Sequence, residues 1–203
     1  MGRKSDARQR ILDAGATLFG QRAYSTIGVA EICAEADVPK GSFYYFFPSK
    51  QALALAVVDE HWVWQRGQWM GILTAPEPIV DRLRALFIAT AEMQSAALKG
   101  TGAVAGCLFG NLALEVSAQD DPLRARLQEI FDEQIDIVEG AIREAVTAGE
   151  VSVASPRETA RSIVAQIEGM ILFAKLFNDP AQLDQLWQNS MKLLGLGDAA
   201  VAA

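Results

Sequence analysis

The chain has 203 residues, 51% of them hydrophobic, and a formal net charge of -7, enough for one sizeable core or a small domain docked on a larger one. Its two cysteines, Cys33 and Cys107, lie far apart and lack CxxC spacing, which excludes a disulfide framework and a zinc cluster and fits a reducing, cytoplasmic setting. No signal-peptide core opens the chain, and the apolar run GMILFAKLF is too short for a membrane span and contains Lys175, so no membrane partner is expected.

The charge is unevenly placed. Residues 1–50 carry seven Lys or Arg against five Asp or Glu, a net +2, whereas residues 51–203 carry eleven against twenty, a net -9. Such asymmetry is the footprint of a small polyanion-facing head on an acidic body.

In chain order the pattern is helical, with no alternating strand signal and no Asn-Gly or Asp-Gly hairpin turn. Ile11, Leu12, Ala14, Leu18 and Phe19 mark a first helix over residues 5–22, with Ser5 as its cap. A short second helix over 28–36 turns Val29, Ile32 and Cys33 inward, and a third covers 40–46. Ser49 caps a long fourth helix, 49–73, whose stripe includes Leu53, Val57, Val58, Trp62 and Trp69 and which stops at TAPEP. Five more follow over 78–98, 105–118, 122–148, 156–178 and 180–195, with Pro122, Pro156 and Pro180 in first turns that tolerate proline. GDAAVAA reads as a frayed tail. The expected architecture is all-α with about nine helices, a head over 1–48 and a body over 49–203 joined by the long helix 49–73.

The stretch ADVPKGSFYYFFPSK decides the function class. Asp37-Val38-Pro39 has the length of the turn in a helix-turn-helix pair, and aspartate tolerates the left-handed conformation such a turn demands. In such a pair the second helix enters the major groove N-terminus first, which puts Lys40, Gly41, Ser42 and Tyr44 nearest the bases. Lys40 suits guanine O6 and N7, Ser42 suits either sign of partner, and Gly41 admits a close backbone. Phe43 and Phe47, four apart, share the inward face, while Tyr44, Tyr45 and Phe46 sweep the outer arc. Lys50, in the first turn of the fourth helix, is placed for a phosphate. Arg3, Lys4, Arg8 and Arg10 suit a phosphate-bracing arm or a solvated tail.

VAEICAEADVPKGSFYYFFPSKQAL resembles the DNA-binding head of the TetR family of transcriptional regulators over residues 8–60. Asp37 stands where that family usually has Gly, Cys33 where it has Ala, and Ile27-Gly28 where it often has Thr followed by Ser or Thr. The last difference removes a hydroxyl that commonly touches phosphate, leaving that contact to the amides of Gly28 and Val29. The resemblance implies a homodimer whose heads read a palindromic double-stranded operator and whose C-terminal domain binds an inducer. It also implies pairing through the last two long helices, where Ile163, Ile167, Ile171, Leu172, Leu176, Leu183, Leu186 and Leu194 supply apolar surface.

In the body, Cys107 falls at the start of the sixth helix, where a helix N-terminus favours a thiolate, and Lys175 lies within an apolar run from which it would support that thiolate if it faced a pocket. GCLFGNLALEVS with Lys175 downstream also resembles a TetR subgroup that senses electrophiles through a cysteine in this helix. Against this stand a cysteine that is a small buried hydrophobe and a lysine that snorkels or pairs with Glu168. Trp62 and Trp69 line either a ligand pocket or the core. A lone histidine, His61, and the absence of GxSxG, metal-ligand and cofactor motifs speak against an enzyme, with no cofactor, metal or catalytic residue expected. The leading reading is a repressor released by an electrophile at Cys107 or by a small molecule in the body; the alternatives are a helical dimerisation adaptor and, behind it, an enzyme.

Overall fold

The computed structural model describes residues 2–196, with side chains from residue 6 onward. Nine α-helices run in order: α1 (Gly2–Gln21), α2 (Val29–Glu35), α3 (Lys40–Phe46), α4 (Lys50–Leu73), α5 (Ile79–Thr101), α6 (Leu108–Val116), α7 (Asp121–Thr147), α8 (Pro156–Phe177) and α9 (Gln185–Leu193). Two short 3-10 turns, Tyr24–Thr26 and Pro180–Asp184, complete the described residues, which contain no strand. The tail expected at 197–203 lies outside them, as does the side chain of Ser5; the helical backbone continues back to Gly2, so Ser5 sits inside α1 rather than at its cap.

The chain forms two compact units, residues 1–64 with 107–129 and residues 65–106 with 130–203. The first differs from a head confined to 1–48 because α4 as far as Trp64, α6 and the start of α7 join it.

In the first unit Ile11, Leu12, Phe19, Ile32, Phe43, Leu53, Val58 and Phe109 are almost wholly buried. Phe43 alone, relative to an exposed ring, contributes roughly 2–3 kcal/mol of apolar burial. Gly15 lets α4 approach α1, since a Cβ there would stand 3.1 Å from Leu53 Cδ2 and 3.2 Å from Val57 Cγ2. The Ser49 hydroxyl caps α4 by accepting from Ala52 N–H at 3.0 Å, as its sequence position implies.

In the second unit Ile79, Leu83 and Leu86 of α5, Ile130, Val138 and Ile142 of α7, and Ile163 and Ile167 of α8 form the core, joined by Leu183, Leu186 and Met191. Ser155 caps α8 by accepting from Glu158 N–H at 3.4 Å, with Pro156 in the first turn. On the surface Arg157 of α8 pairs with Asp136 and with Glu139, the latter at 3.0 Å, and with Arg143 it holds the Glu139 carboxyl below the usual carboxylate range. Of the apolar residues expected to supply a pairing surface along α8 and the C-terminal segment after it, Ile163, Ile167, Ile171, Leu183, Leu186 and Leu194 are consumed by the core, whereas Leu172 and Leu176 are exposed.

Candidate nucleic-acid interface

The turn between α2 and α3 is built by its hydrogen bonds. Asp37 adopts φ 49°, its N–H donates to Ala34 O at 3.2 Å, and Val38 N–H reaches Cys33 O at 3.0 Å. This is the paired closure that ends a helix on a left-handed residue, a place usually taken by glycine. From α1, one terminal nitrogen of Arg10 donates to Ala36 O at 3.0 Å and to Asp37 O at 2.9 Å. Arg10 is thereby a clasp on the turn, which corrects the expectation that it braces a phosphate.

The clasped turn presents α3 as its sequence predicts. Phe43 and Phe47 are buried; Tyr44 and Tyr45 are 50% and 69% exposed. Phe46 is half-buried, edge-on to Tyr45 with ring centroids 4.8 Å apart. Lys40 and Gly41 are exposed at the leading end, Ser42 is half-buried, and a Cβ on Gly41 would meet nothing within 4 Å. An open groove of about 660 Å³ runs along this face, lined by Ala7, Arg10, Val38, Pro39, Gly41, Ser42, Tyr45 and Phe46. Gly28, exposed and extended, starts α2 with no side-chain cap, so the amides there are not covered by a hydroxyl.

Lys50 does something other than expected. Its ammonium donates to Tyr24 O at 2.8 Å and Ile27 O at 2.9 Å and lies 4.2 Å from the Tyr24 ring centroid. Burial pulls its pKa down, and the Glu115 carboxylate opposes that shift. Two of its three donors are therefore committed to the chain's own carbonyls, which corrects the assignment of Lys50 to a phosphate. Glu115 of α6 grips the same segment from the other side, accepting from Tyr24 N–H at 2.9 Å, Ser25 N–H at 3.1 Å and the Ser25 hydroxyl at 3.1 Å. The 3-10 turn between α1 and α2 is thus held between a carboxylate and an ammonium. Sequence reasoning missed both the turn and Glu115, because three residues carry no period and the partner lies 90 positions away.

At the opposite end of α6, Cys107 is the N-cap: its half-buried sulfur accepts from Gly110 N–H at 3.5 Å. The glycine-rich stretch before it is a pinned loop. Gly102 and Gly106 take φ of 79° and 82°, Asn178 accepts from Val104 N–H at 2.8 Å and donates to Gly102 O at 3.2 Å, and Gln94 exchanges two hydrogen bonds with Gly106. These bonds hold residues 102–106 out of the helix expected from 105.

Trp62 and Trp69 are both buried, Trp62 edge-on to Phe109 at 6.1 Å. Lys175 is exposed, which agrees with the solvent-facing alternative and not with a place in a pocket. The inward arc of α8 near it is Ile167, Ile171 and Ala174, and Lys175 lies one residue, about 100° of helical turn, past that arc. Its neighbours Leu172, Phe173, Leu176 and Phe177 are exposed as well, with Phe173 and Phe177 stacked at 6.2 Å.

A helix-turn-helix whose second helix offers lysine, glycine, serine and tyrosine to solvent, attached to a helical body, defines a DNA-binding regulator. The comparisons with known proteins give the family. Residues 11–57 match the family model described as bacterial regulatory proteins, tetR family, and residues 80–189 match the tetracyclin repressor-like C-terminal domain. The chain is 33% identical over 184 residues to the HTH-type transcriptional repressor DhaR of Mycobacterium sp. (strain GP1), covering 90% of this chain and 89% of that protein. The solved structure of regulatory protein TetR from Rhodobacter sphaeroides superposes with a TM-score of 0.80 at 30% identity, covering 92% of this chain and 98% of that one. That of Escherichia coli NemR in its reduced form gives 0.81 at 25% identity, covering 93% and 98%. The chain therefore belongs to the TetR family: it is a DNA-binding transcriptional regulator of the class whose named relatives include repressors, and those relatives are regulators rather than enzymes. No helix among the described residues is long and apolar enough to cross a membrane.

Proposed function

We propose that the protein is a homodimeric repressor that reads a palindromic operator with the exposed arc of α3 and releases it when Cys107 reacts with an electrophile or a small molecule binds the body. The observation that carries the first half is the row of exposed Lys40, Gly41 and Tyr44 with half-buried Ser42 among them, presented by the left-handed Asp37 and the Arg10 clasp. Lys40 supplies base-edge hydrogen bonds, the tyrosine hydroxyls reach phosphates, Phe46 packs, and the amides of Gly28 and Val29 take the contact a missing hydroxyl would have made.

The second half rests on α6. Its N-cap is a thiol at the positive end of the helix dipole, and Glu115 near its far end holds the turn that leads into α2. A bulky adduct on the sulfur removes the cap bond, displaces α6 and pulls Glu115 from that turn, changing how α2 and α3 sit on DNA. The similarity to NemR, whose structure was determined in a reduced form, fits a redox-sensitive relative. For a noncovalent inducer, Trp69 and Trp62 on α4 are the proposed apolar contacts.

Operator titrations with and without N-ethylmaleimide test both halves. The wild type should bind a palindrome selected from random duplexes and release it on alkylation, while Cys107→Ser binds and does not release. Lys40→Ala should weaken operator binding by about 10- to 100-fold, the cost of a base contact. Unchanged DNA affinity in Lys40→Ala and Tyr44→Ala would favour a dimerisation adaptor, and release of Cys107→Ser by the alkylator would remove the thiol mechanism.

A further inference from the structure

We propose that the interior of the second unit, at the level of Gln134, recognises a compact uncharged organic molecule presenting a hydrogen-bond donor and acceptor side by side, a primary carboxamide or lactam being the simplest case. This rests on the reading of the body as an inducer-sensing domain and names the chemistry of what it senses.

Gln134 of α7 is 1% exposed, yet neither Oε1 nor Nε2 has a hydrogen-bond partner. Buried polar atoms are nearly always paired, and leaving both ends of an amide idle in an apolar interior is unfavourable. Its neighbours one turn away on α7, Ile130 and Val138, are wholly buried and apolar and cannot satisfy it. A second idle atom belongs to the same unit: Gln65 Oε1 on α4 is buried without a partner. The two helices meet at this level, since Arg66 and Glu133, each adjacent to one of these glutamines, form an ion pair at 3.6 Å. Trp69, one turn beyond Gln65 on α4, is buried in the same unit.

The chain itself shows what completes a buried glutamine. Gln94, 2% exposed, takes the N–H of Gly106 at 3.0 Å and gives its own N–H to the carbonyl of the same residue at 3.2 Å, an amide pairing edge to edge with a donor and an acceptor. Gln134 offers the same edge to no protein group. Its complement is a neutral amide edge, because an amide dipole cannot balance a full charge in such surroundings. Arg82, a buried cation of this unit, is held through one terminal nitrogen by Leu73 O and by Glu144, each at 2.9 Å, while its Nε is a further buried atom without a partner.

The test uses the full chain with acetamide, isobutyramide and benzamide against acetate, isobutyrate and benzoate, reading thermal unfolding and operator release. At least one amide should raise Tm and promote release while its carboxylate does neither. Gln134→Leu, which replaces an idle amide with an apolar side chain of similar size, should melt at or above the wild type and need about tenfold more amide for the same response, the loss expected for one hydrogen-bonded pair. Gln134→Met and Gln65→Leu should shift the amide response in the same direction. The proposal is overturned if Gln134→Leu melts several degrees lower, which would make the amide a structural group satisfied by enclosed water. It is equally overturned if amides and carboxylates act alike, if no amide acts, or if the variants respond as the wild type does. Wild-type operator binding separates this failure from that of the regulator reading: a protein that grips its palindrome but ignores every amide loses this inference alone.

Discussion

Asp37 holds the backbone at φ 49°, a conformation that costs most side chains about 1–2 kcal/mol and glycine almost nothing. Aspartate is tolerated there because its short polar chain can interact locally, and the ion pair it makes with Arg10 at 3.6 Å is exposed and contributes little. Asp37→Gly should therefore leave unfolding stability within about 1 kcal/mol, while Asp37→Val should lower it by about 2 kcal/mol. Urea unfolding of the two variants checks this, and equal midpoints would show that the turn is not strained. Tyr24 sets a pH dependence at the same scale. Burial, and then the Asp120 carboxylate, push its phenol from 10.0 up to about 12. A group whose folded pKa lies above its unfolded value contributes its stability in full below the unfolded pKa and loses it as pH rises through the folded one. Stability should accordingly fall between pH 10.0 and about 12, with phenolate absorbance rising in step. Tyr24→Phe should flatten that arm; if it does not, another group governs it.

Asn178 works at the scale of elements. It ends α8 at φ 51°, with Asp179 N–H reaching Ala174 O at 2.9 Å, and its side chain fastens the loop between α5 and α6 through Gly102 and Val104. Two substitutions separate these roles. Asn178→Gly keeps the left-handed end but frees the loop, so hydrogen exchange at Val104 should accelerate while α8 stays protected. Asn178→Ala loses both and should cost about 1–2 kcal/mol more than the glycine variant. Equal exchange at Val104 in the wild type and Asn178→Gly would deny the side chain its role. Such long-range fastenings separate what is legible in the sequence from what is not. The bounds of α3 and the inward pair Phe43 and Phe47 follow from a four-residue spacing within one helix, and the left-handed turn from the identity of Asp37. The pinned loop before Cys107, the grip of Glu115 and Lys50 on the Tyr24 turn, and the idle amide of Gln134 depend on partners tens of residues away or on the lack of one. Lys50 departs from expectation for the same reason: charge and helical position show where a side chain begins, not which carbonyl meets its end.

For the whole molecule, the unequal charge and the exposed arc of α8 belong to one argument. Leu172, Phe173, Leu176 and Phe177 are 53%, 47%, 70% and 61% exposed on consecutive turns of one helix. Contiguous apolar surface of this kind is rare on monomers, and a two-fold axis lets one patch cover its own copy. One head with a net charge near +2 on a body of -9 gains little from nonspecific attraction to phosphate, and in the proposed homodimer affinity comes from two heads binding together. Linking two modules raises affinity by about 10²–10⁴-fold without any new contact. Leu176→Glu places a charge in the centre of the patch, where pairing would bury it unpaired, yet leaves the fold alone because the side chain is exposed. The variant should unfold at the wild-type midpoint, sediment as a monomer at micromolar concentration, and bind the full palindrome about 100-fold more weakly, with roughly half the wild-type slope of log affinity against log salt. Halving of that slope is the decisive reading, since it counts the phosphates engaged and so the heads on the DNA. A variant that stays dimeric, or a monomer that keeps the wild-type slope, would place the pairing surface elsewhere.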